Sequence, residues 1–89
     1  CVSLRVEGRV QGVGFRAWVV REAKKRRLDG WVRNHGDGSV EARLAGPAAL
    51  VDAMVACCGE GPRLALVVQV QVAPADDPGP VGFRQTSDG

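Results

Sequence analysis

The alternation of apolar and polar residues at the start of the chain predicts a strand followed by a helix. Between Val2 and Glu7 the apolar side chains fall on every second position, as in a strand with one buried face. The period then becomes helical between Phe15 and Leu28, along one apolar stripe: Phe15, Trp18, Val19 and Ala23. We therefore expect a β-strand that leads through a short connection into an α-helix.

The next stretch predicts a β-hairpin. Asp29-Gly30 is typical of a turn, and Trp31–His35 follows it as a short strand. Ser39–Leu44 alternates apolar and polar residues and is predicted to be the second strand. The Asp37-Gly38 pair favours a tight turn between the two, because both residues tolerate positive φ.

A second helix and a fourth strand are predicted in the remainder of the chain. Gly46-Pro47 opens the helix, with proline in a favourable first-turn position, and Gly59–Pro62 ends it. Its apolar stripe consists of Leu50, Val51, Met54, Val55 and Cys58. The fourth strand follows from apolar residues that alternate with Gln69 and Gln71, namely Leu64, Leu66, Val68, Val70 and Val72. We expect a loop at Pro74–Pro80, a weak closing strand at Val81–Arg84, and a frayed tail at 87–89.

The predicted order is β-α-β-β-α-β with a possible short fifth strand. This order is typical of an α+β fold, the ferredoxin-like βαββαβ sandwich, in which two helices pack on one face of an antiparallel four- to five-stranded sheet. The 89 residues are enough for a single domain, 1–89. Because the fold hosts enzymes, RNA-binding modules and metal carriers, it does not define the function.

Composition and charge narrow the function classes. No apolar run approaches the roughly 18 residues of a membrane span, and the start lacks the apolar region of a signal peptide. Cys1 in place of methionine indicates a processed or trimmed terminus. Three cysteines, two of them adjacent, and a single histidine do not match a disulfide framework or a metal site. We expect a cytoplasmic monomer with reduced cysteines, no membrane partner, no cofactor and no metal.

The basic residues of the first helix suggest a solvated face more strongly than a nucleic-acid site. They are Arg16, Arg21, Lys24, Lys25, Arg26 and Arg27. Cations are favoured near a helix C-terminus, and the net charge is only +2. Val2–Val10 and Ser39–Ala45 contain no aromatic residue for stacking on RNA bases. We therefore expect no nucleic-acid partner.

The connection between the first strand and the first helix predicts an anion site. Gly12 and Gly14 let the backbone turn tightly and leave amide hydrogens uncovered at the start of a helix. The helix dipole and these amides favour an oxyanion, and Arg16 adds a planar, permanently charged fork. Taken alone, the glycine pattern also fits an ordinary turn. It matches neither the nucleotide P-loop nor the dinucleotide fingerprint.

Two separated motifs resemble the acylphosphatase family. They are Gly8-Arg9-Val10-Gln11-Gly12-Val13-Gly14-Phe15-Arg16, and Gly30-Trp31-Val32-Arg33-Asn34 with Asp37-Gly38-Ser39-Val40-Glu41 after it. Gly46-Pro47 and Gly61-Pro62 also match, so the resemblance covers nearly the whole chain. It implies hydrolysis of the carboxyl–phosphate bond of a small acyl phosphate to a carboxylate and inorganic phosphate, without a metal or a covalent intermediate.

The resemblance also implies roles for individual residues. Arg16 would be the catalytic arginine and Asn34 the catalytic asparagine. Backbone amides of the loop would bind the phosphoryl group, at Gln11, Gly12, Val13, Gly14 and Phe15. Since asparagine is no base near neutral pH, the proton of the attacking water would pass to a substrate oxygen. Ala17 is smaller than the residue often found in the family, which would widen the pocket wall.

Alternatives remain open at this stage. From the residues alone, Asn34 is a strand-end residue that caps the hairpin, and only the resemblance favours catalysis. His35 is expected to face away from Asn34, because side chains alternate along a strand. The main functional alternative is an acylphosphatase-like phosphate-binding module without turnover, such as one trimmed from a larger carbamoyl-transfer maturation protein.

Overall fold

The computed structural model describes residues 1–76 and 81–86, and its elements follow the predicted order. They are β1 (Val2–Arg9), α1 (Phe15–Lys25), β2 (Asp29–Asn34), β3 (Val40–Ala45), α2 (Ala48–Glu60), β4 (Leu66–Pro74) and β5 (Phe83–Gln85). The predictions for 77–80, at the end of the loop, and for the tail 87–89 lie outside the described residues. Within the described ranges no helix has both the length and the apolar character needed to cross a membrane.

The strands form one mixed sheet in the order β4-β1-β3-β2-β5. β1 is antiparallel to both β3 and β4, and β2 is antiparallel to β3. β1 and β2 therefore share one direction, β3 and β4 share the opposite one, and β5 runs in the same direction as β2. The two are therefore parallel where they pair. The antiparallel arrangement predicted from the sequence thus holds for four strands, and the short fifth strand makes the sheet mixed.

The predicted apolar faces form the core between the sheet and the two helices. Leu4 and Val6 of β1 are fully buried, as is Met54 of α2. The stripe of α1 contributes Phe15, Val19 and Ala23, and β3 contributes Val40, Ala42 and Leu44. Burial of these faces supplies the main driving force that holds the helices on one side of the sheet.

Two predicted boundaries between α1 and β2 are wrong. α1 ends at Lys25 and does not reach Leu28, because Arg27 adopts a left-handed conformation with φ 54°. The Leu28 N–H then donates to Ala23 O at 3.0 Å, which closes the helix. The Asp29-Gly30 turn is also wrong, since both residues lie in β2 and pair with Ala45 and Leu44. The reversal is made by the helix C-terminus, so the strand begins earlier than the sequence indicates.

The fourth strand departs from strict alternation. The β1–β4 register shifts between Glu7 and Gly8, so that Val68 is an extra residue with no partner in the register. This bulge turns Val67 toward the core beside Val70, whereas Leu66 and Val68 are 64% and 75% exposed. Leu66 and Val68 therefore do not lie on the same face as Val70, because a one-residue slip exchanges the two faces of a strand.

The basic residues of α1 form a solvated surface. Lys24, Lys25 and Arg27 are exposed, and Glu22 forms an ion pair with Lys25 at 3.0 Å. Arg26 is half-buried, and its guanidinium lies 3.3 Å from Glu22. Arg16, at the other end of the helix, does not belong to this surface.

Candidate functional site

The connection between β1 and α1 exposes backbone amides at the helix N-terminus. Gly12 and Gly14 have φ of 76° and 77°, and a Cβ added at either would meet nothing within 4 Å. Gly14 is the N-cap residue and provides no side-chain cap. The first turn of α1 also holds no acidic residue. The amides of this turn thus point outward without a competing carboxylate, which is the condition for an anion site.

A pocket of about 170 Å³ opens over this loop. It is lined by Val10, Gln11, Gly12, Gly14, Phe15, Arg16, Ala17, Asn34 and Gln85. The fold therefore brings together the two predicted catalytic residues and four of the five predicted loop residues. Val13 is the exception, since it is half-buried and packs against the hydrophobic core.

Arg16 lies in the first turn of α1, at the wall of the pocket, and is half-buried. Its charge adds to the positive end of the helix dipole. A guanidinium offers several N–H donors in one plane and suits an anion with oxygens on neighbouring corners. The loop and Arg16 together can hold a tetrahedral oxyanion.

Asn34 is the last residue of β2 and lines the same pocket. It is only 9% exposed, and its Oδ1 accepts no hydrogen bond from any described residue. The turn of the hairpin is held by other groups, since His35 N–H donates to Ser39 O at 2.9 Å and Ser39 Oγ–H donates to Asp37 at 2.6 Å. The carboxamide oxygen of Asn34 is therefore not used to cap the hairpin.

The side chain of Gln11 connects the loop to the β2–β3 hairpin. Its Nε2 donates to His35 O at 2.8 Å and to Ser39 O at 2.9 Å. Both acceptors are backbone carbonyls next to the strand ends that carry Asn34 and Val40. The carboxamide nitrogen is thus occupied by the protein, and Gln11 fixes the position of the loop relative to Asn34.

His35 lies on the sheet face opposite the helices, as the alternation predicts. Its Nε2 is 2.5 Å from Glu41 Oε1, and two guanidinium nitrogens of Arg33 contact the same oxygen at 3.0 and 3.1 Å. Burial raises the pKa of the Glu41 carboxyl, but the hydrogen bonds from His35 and Arg33 outweigh it and leave this pKa below its ordinary value. The cluster stabilises the hairpin and faces away from the pocket.

Ala17, expected at the pocket wall, lines the pocket, whereas two lining residues escaped the sequence-based prediction: Val10 and Gln85. Val10 directly precedes the loop and was predictable from its position. Gln85 comes from β5, where it pairs with Val32, so it lies on the same sheet face as Asn34. No local motif marks it, because only the parallel pairing of β5 with β2 brings it to the pocket.

The described residues contain no group of three or more His, Cys, Asp or Glu side chains arranged to hold a metal ion. All three cysteines are free thiols. Burial raises the pKa of the Cys58 thiol to about 12, which keeps it protonated in the core. Cys58 therefore serves as a small apolar residue.

Sequence comparison relates this chain to one family. Residues 2–85 match the family model described as acylphosphatase. The chain is 48% identical over 82 residues to an acylphosphatase of Rhodospirillum rubrum, a match that covers 92% of this chain and 90% of the relative.

Structural comparison leads to the same family. The crystal structure of acylphosphatase from Bacillus subtilis superimposes with a TM-score of 0.90 at 37% identity and covers 96% of both chains. Full-length HypF in its phosphate- and nucleotide-bound form also superimposes, with a TM-score of 0.87 at 28% identity. In that case this chain corresponds to only 12% of the larger protein.

Proposed function

The chain belongs to the acylphosphatase family and is a hydrolase of acyl phosphates, and we propose that it cleaves the carboxyl–phosphate bond with Arg16, Asn34 and the amides of the loop, without a metal ion. The substrate class is a small acyl phosphate, and the products are a carboxylate and inorganic phosphate.

The loop and Arg16 are suited to holding the phosphoryl group. Phosphoryl transfer needs positioning of the reactants and stabilisation of charge on the equatorial oxygens. Outward-pointing amides at the start of α1 and the guanidinium of Arg16 provide donors fixed by the fold before substrate arrives, which is the form of electrostatic stabilisation that needs least reorganisation. Because a carboxylate is a stable leaving group, the reaction needs no general acid in the pocket.

The observation that carries the proposal is that Asn34 lines the same pocket as the loop and Arg16, with an Oδ1 that accepts no hydrogen bond from the described residues. A carboxamide at the pocket wall can hold a water for attack on the phosphorus. Asn34 thus acts by orienting the nucleophile.

The step balances without a protein base. The water oxygen forms a bond to phosphorus while the bond from phosphorus to the bridging oxygen breaks, and that electron pair leaves with the carboxylate. One proton of the water stays on the attacking oxygen, and the other passes to a non-bridging phosphoryl oxygen, which gives dihydrogen phosphate. Neither Asn34 nor Arg16 changes its protonation state.

Hydrolysis of benzoyl phosphate in the presence of a chelator tests the proposal. The wild type should turn the substrate over at an undiminished rate. Asn34→Ala should lose two or more orders of magnitude in kcat while inorganic phosphate still inhibits competitively, because the phosphate-binding groups remain. Arg16→Ala should lose both rate and phosphate affinity.

Arg21→Ala is the matched control for Arg16, since Arg21 is an exposed arginine on the same helix. It should retain wild-type rate and phosphate affinity. Full activity of Asn34→Ala, or loss of turnover on chelation, would contradict the proposed mechanism. Binding of phosphate by a wild type that hydrolyses nothing would instead identify the chain as a phosphate-binding module.

We also propose that the protein is cytoplasmic, which is supported by its free thiols, and that it acts as a monomer. Light scattering should give the mass of one chain. A mass of two chains would contradict this, and the exposed edge of β4 would be the first surface to examine.

A further inference from the structure

We propose that Gln85 binds the acyl part of the substrate and donates a hydrogen bond to its carbonyl oxygen as the carboxylate leaves; this inference rests on the function proposed above. Gln85 is the lining residue contributed by β5, and none of the roles proposed above for Arg16, Asn34 and the loop amides involves the leaving group. A residue that recognises the acyl part of the substrate is therefore expected among the remaining lining side chains.

The lining residues differ in burial, and this difference separates the side of the entering water from the side of the leaving carboxylate. Asn34 is buried, so it belongs to the floor of the pocket, whereas Gln85 is exposed and belongs to the mouth. In-line displacement places the entering and leaving oxygens on opposite sides of the phosphorus. A water held at the floor by Asn34 thus directs the leaving carboxylate toward the mouth.

Among the residues that the structure describes, the mouth has one polar side chain. The exposed lining residues are Gly12, Gly14, Ala17 and Gln85. Three of these have no polar atom beyond the backbone. The Gln85 carboxamide is accordingly the side-chain donor available to the part of the substrate that projects from the pocket.

The register of β5 fixes where this carboxamide lies. Gln85 pairs with Val32, and the following Thr86 N–H donates to Val32 O at 2.9 Å. Asn34 is two residues beyond Val32 on the same strand, so its side chain and that of Gln85 lie on one face of neighbouring strands. Gln85 is held beside the reacting group by main-chain hydrogen bonds.

A donor at this position acts mainly in the transition state. As the bond to phosphorus breaks, negative charge spreads over both oxygens of the departing carboxylate, including the former carbonyl oxygen. A hydrogen bond to a charged acceptor is stronger than one to a neutral acceptor. The Gln85 donor should therefore raise kcat more than it lowers KM.

The experiment compares Gln85→Met with the wild type on two substrates. For benzoyl phosphate, kcat should fall by on the order of tenfold to a hundredfold, the effect of losing one hydrogen bond to a developing charge. For p-nitrophenyl phosphate, which has no carbonyl oxygen, the change should stay below about threefold. The inhibition constant of inorganic phosphate should also be nearly unchanged, because phosphate lacks the acyl group.

Ring-substituted benzoyl phosphates allow a measurement that would not change if Gln85 had only a structural role: the dependence of the rate on the leaving group. Without the donor, the rate should depend more steeply on the pKa of the departing benzoic acid. Gln85→Arg, which restores a donor, should recover most of the benzoyl phosphate rate. Arg84→Gln, on the opposite face of the same strand, is the matched control and should behave like the wild type.

Equal losses on both substrates, or an unchanged benzoyl phosphate rate in Gln85→Met, would overturn this inference while leaving the proposed function intact. A wild type without activity on benzoyl phosphate would overturn both. Urea unfolding of each variant shows whether a loss of rate reflects a loss of folded protein.

Discussion

Replacing Gln11 by methionine tests whether the phosphate loop depends on its attachment to the hairpin. Methionine keeps the length of the side chain but removes the Nε2 group that donates to His35 O and Ser39 O at 2.8 and 2.9 Å. The backbone amide of residue 11 is retained. The change therefore removes the attachment and leaves the loop backbone in place.

The structure sets the size of the effect on stability. A typical hydrogen bond contributes about 0.5–1.5 kcal/mol, so two contribute about 1–3 kcal/mol. Both carbonyls keep a second donor within the turn, since His35 O accepts from Gly38 N–H at 3.2 Å and Ser39 O accepts from His35 N–H at 2.9 Å. Neither acceptor is left unsatisfied, which places the loss near the lower end, about 1–2 kcal/mol in the free energy of unfolding.

Loss of the attachment should also lower the activity. A displacement of about 1 Å between reacting groups can lower a rate by on the order of a hundredfold. We expect kcat on benzoyl phosphate to fall by about tenfold or more, whereas inhibition by inorganic phosphate should change by less than about threefold because the loop retains its amides.

Urea unfolding followed by tryptophan fluorescence and steady-state hydrolysis measure the two quantities. Gln71→Met is the matched control, since Gln71 is an exposed glutamine on β4, and it should change neither. If Gln11→Met has wild-type stability and rate, the attachment has no role in the site. If phosphate inhibition is lost in proportion to kcat, Gln11 binds the ligand itself.

Two further predictions concern stability. Gly8→Ala should destabilise the protein by about 2–4 kcal/mol in urea unfolding, because its Cβ would lie 2.1 Å from Leu66 O at a φ of 131°. Gly59→Ala is the control and should be neutral or stabilising, because Gly59 lies in α2 and its added Cβ would meet nothing within 4 Å. Equal effects of the two substitutions would refute the steric argument. Because the folded pKa of Glu41 is lowered, its contribution to stability is present above the unfolded value of 4.5 and is lost as the pH falls through the folded pKa. Urea midpoints should therefore decrease below about pH 4.5, less steeply in Glu41→Gln, and parallel curves would contradict this assignment.

The order of the elements could be predicted from the sequence, because burying one face of a helix or strand requires apolar residues at a regular spacing. The stripe of α1 and the alternation of β3 are buried as predicted, since each element turns one face to the same core. The errors occur where the backbone departs from a regular period. The bulge at Val68 arises where the pairing with β1 shifts between Glu7 and Gly8, and the early start of β2 follows the left-handed residue Arg27. Neither feature has a local apolar signal.

The pocket residues likewise divide into those that a local sequence pattern marks and those that only the folded structure brings together. Gly12, Gly14 and Arg16 lie within one short stretch, so their shared chemistry is visible in the sequence. Asn34 was proposed from the resemblance to a family and from no property of its own neighbourhood. Gln85 was missed because it reaches the pocket through parallel pairing with a strand more than fifty residues earlier in the chain, and long-range pairing leaves no trace in local periodicity.

The strand order explains why the site needs an attachment such as Gln11. The loop follows β1 and Asn34 ends β2, yet β3 lies between these two strands in the sheet. Two strand spacings separate them by roughly 10 Å, which is too far for a backbone hydrogen bond between the strands to set their relative position. The long side chain of Gln11 spans the hairpin end and contacts carbonyls on both sides of the β2–β3 turn. Precise placement of the phosphoryl group against the water of Asn34 thus depends on one side chain as well as on the sheet, so the site can lose its geometry while the fold remains intact.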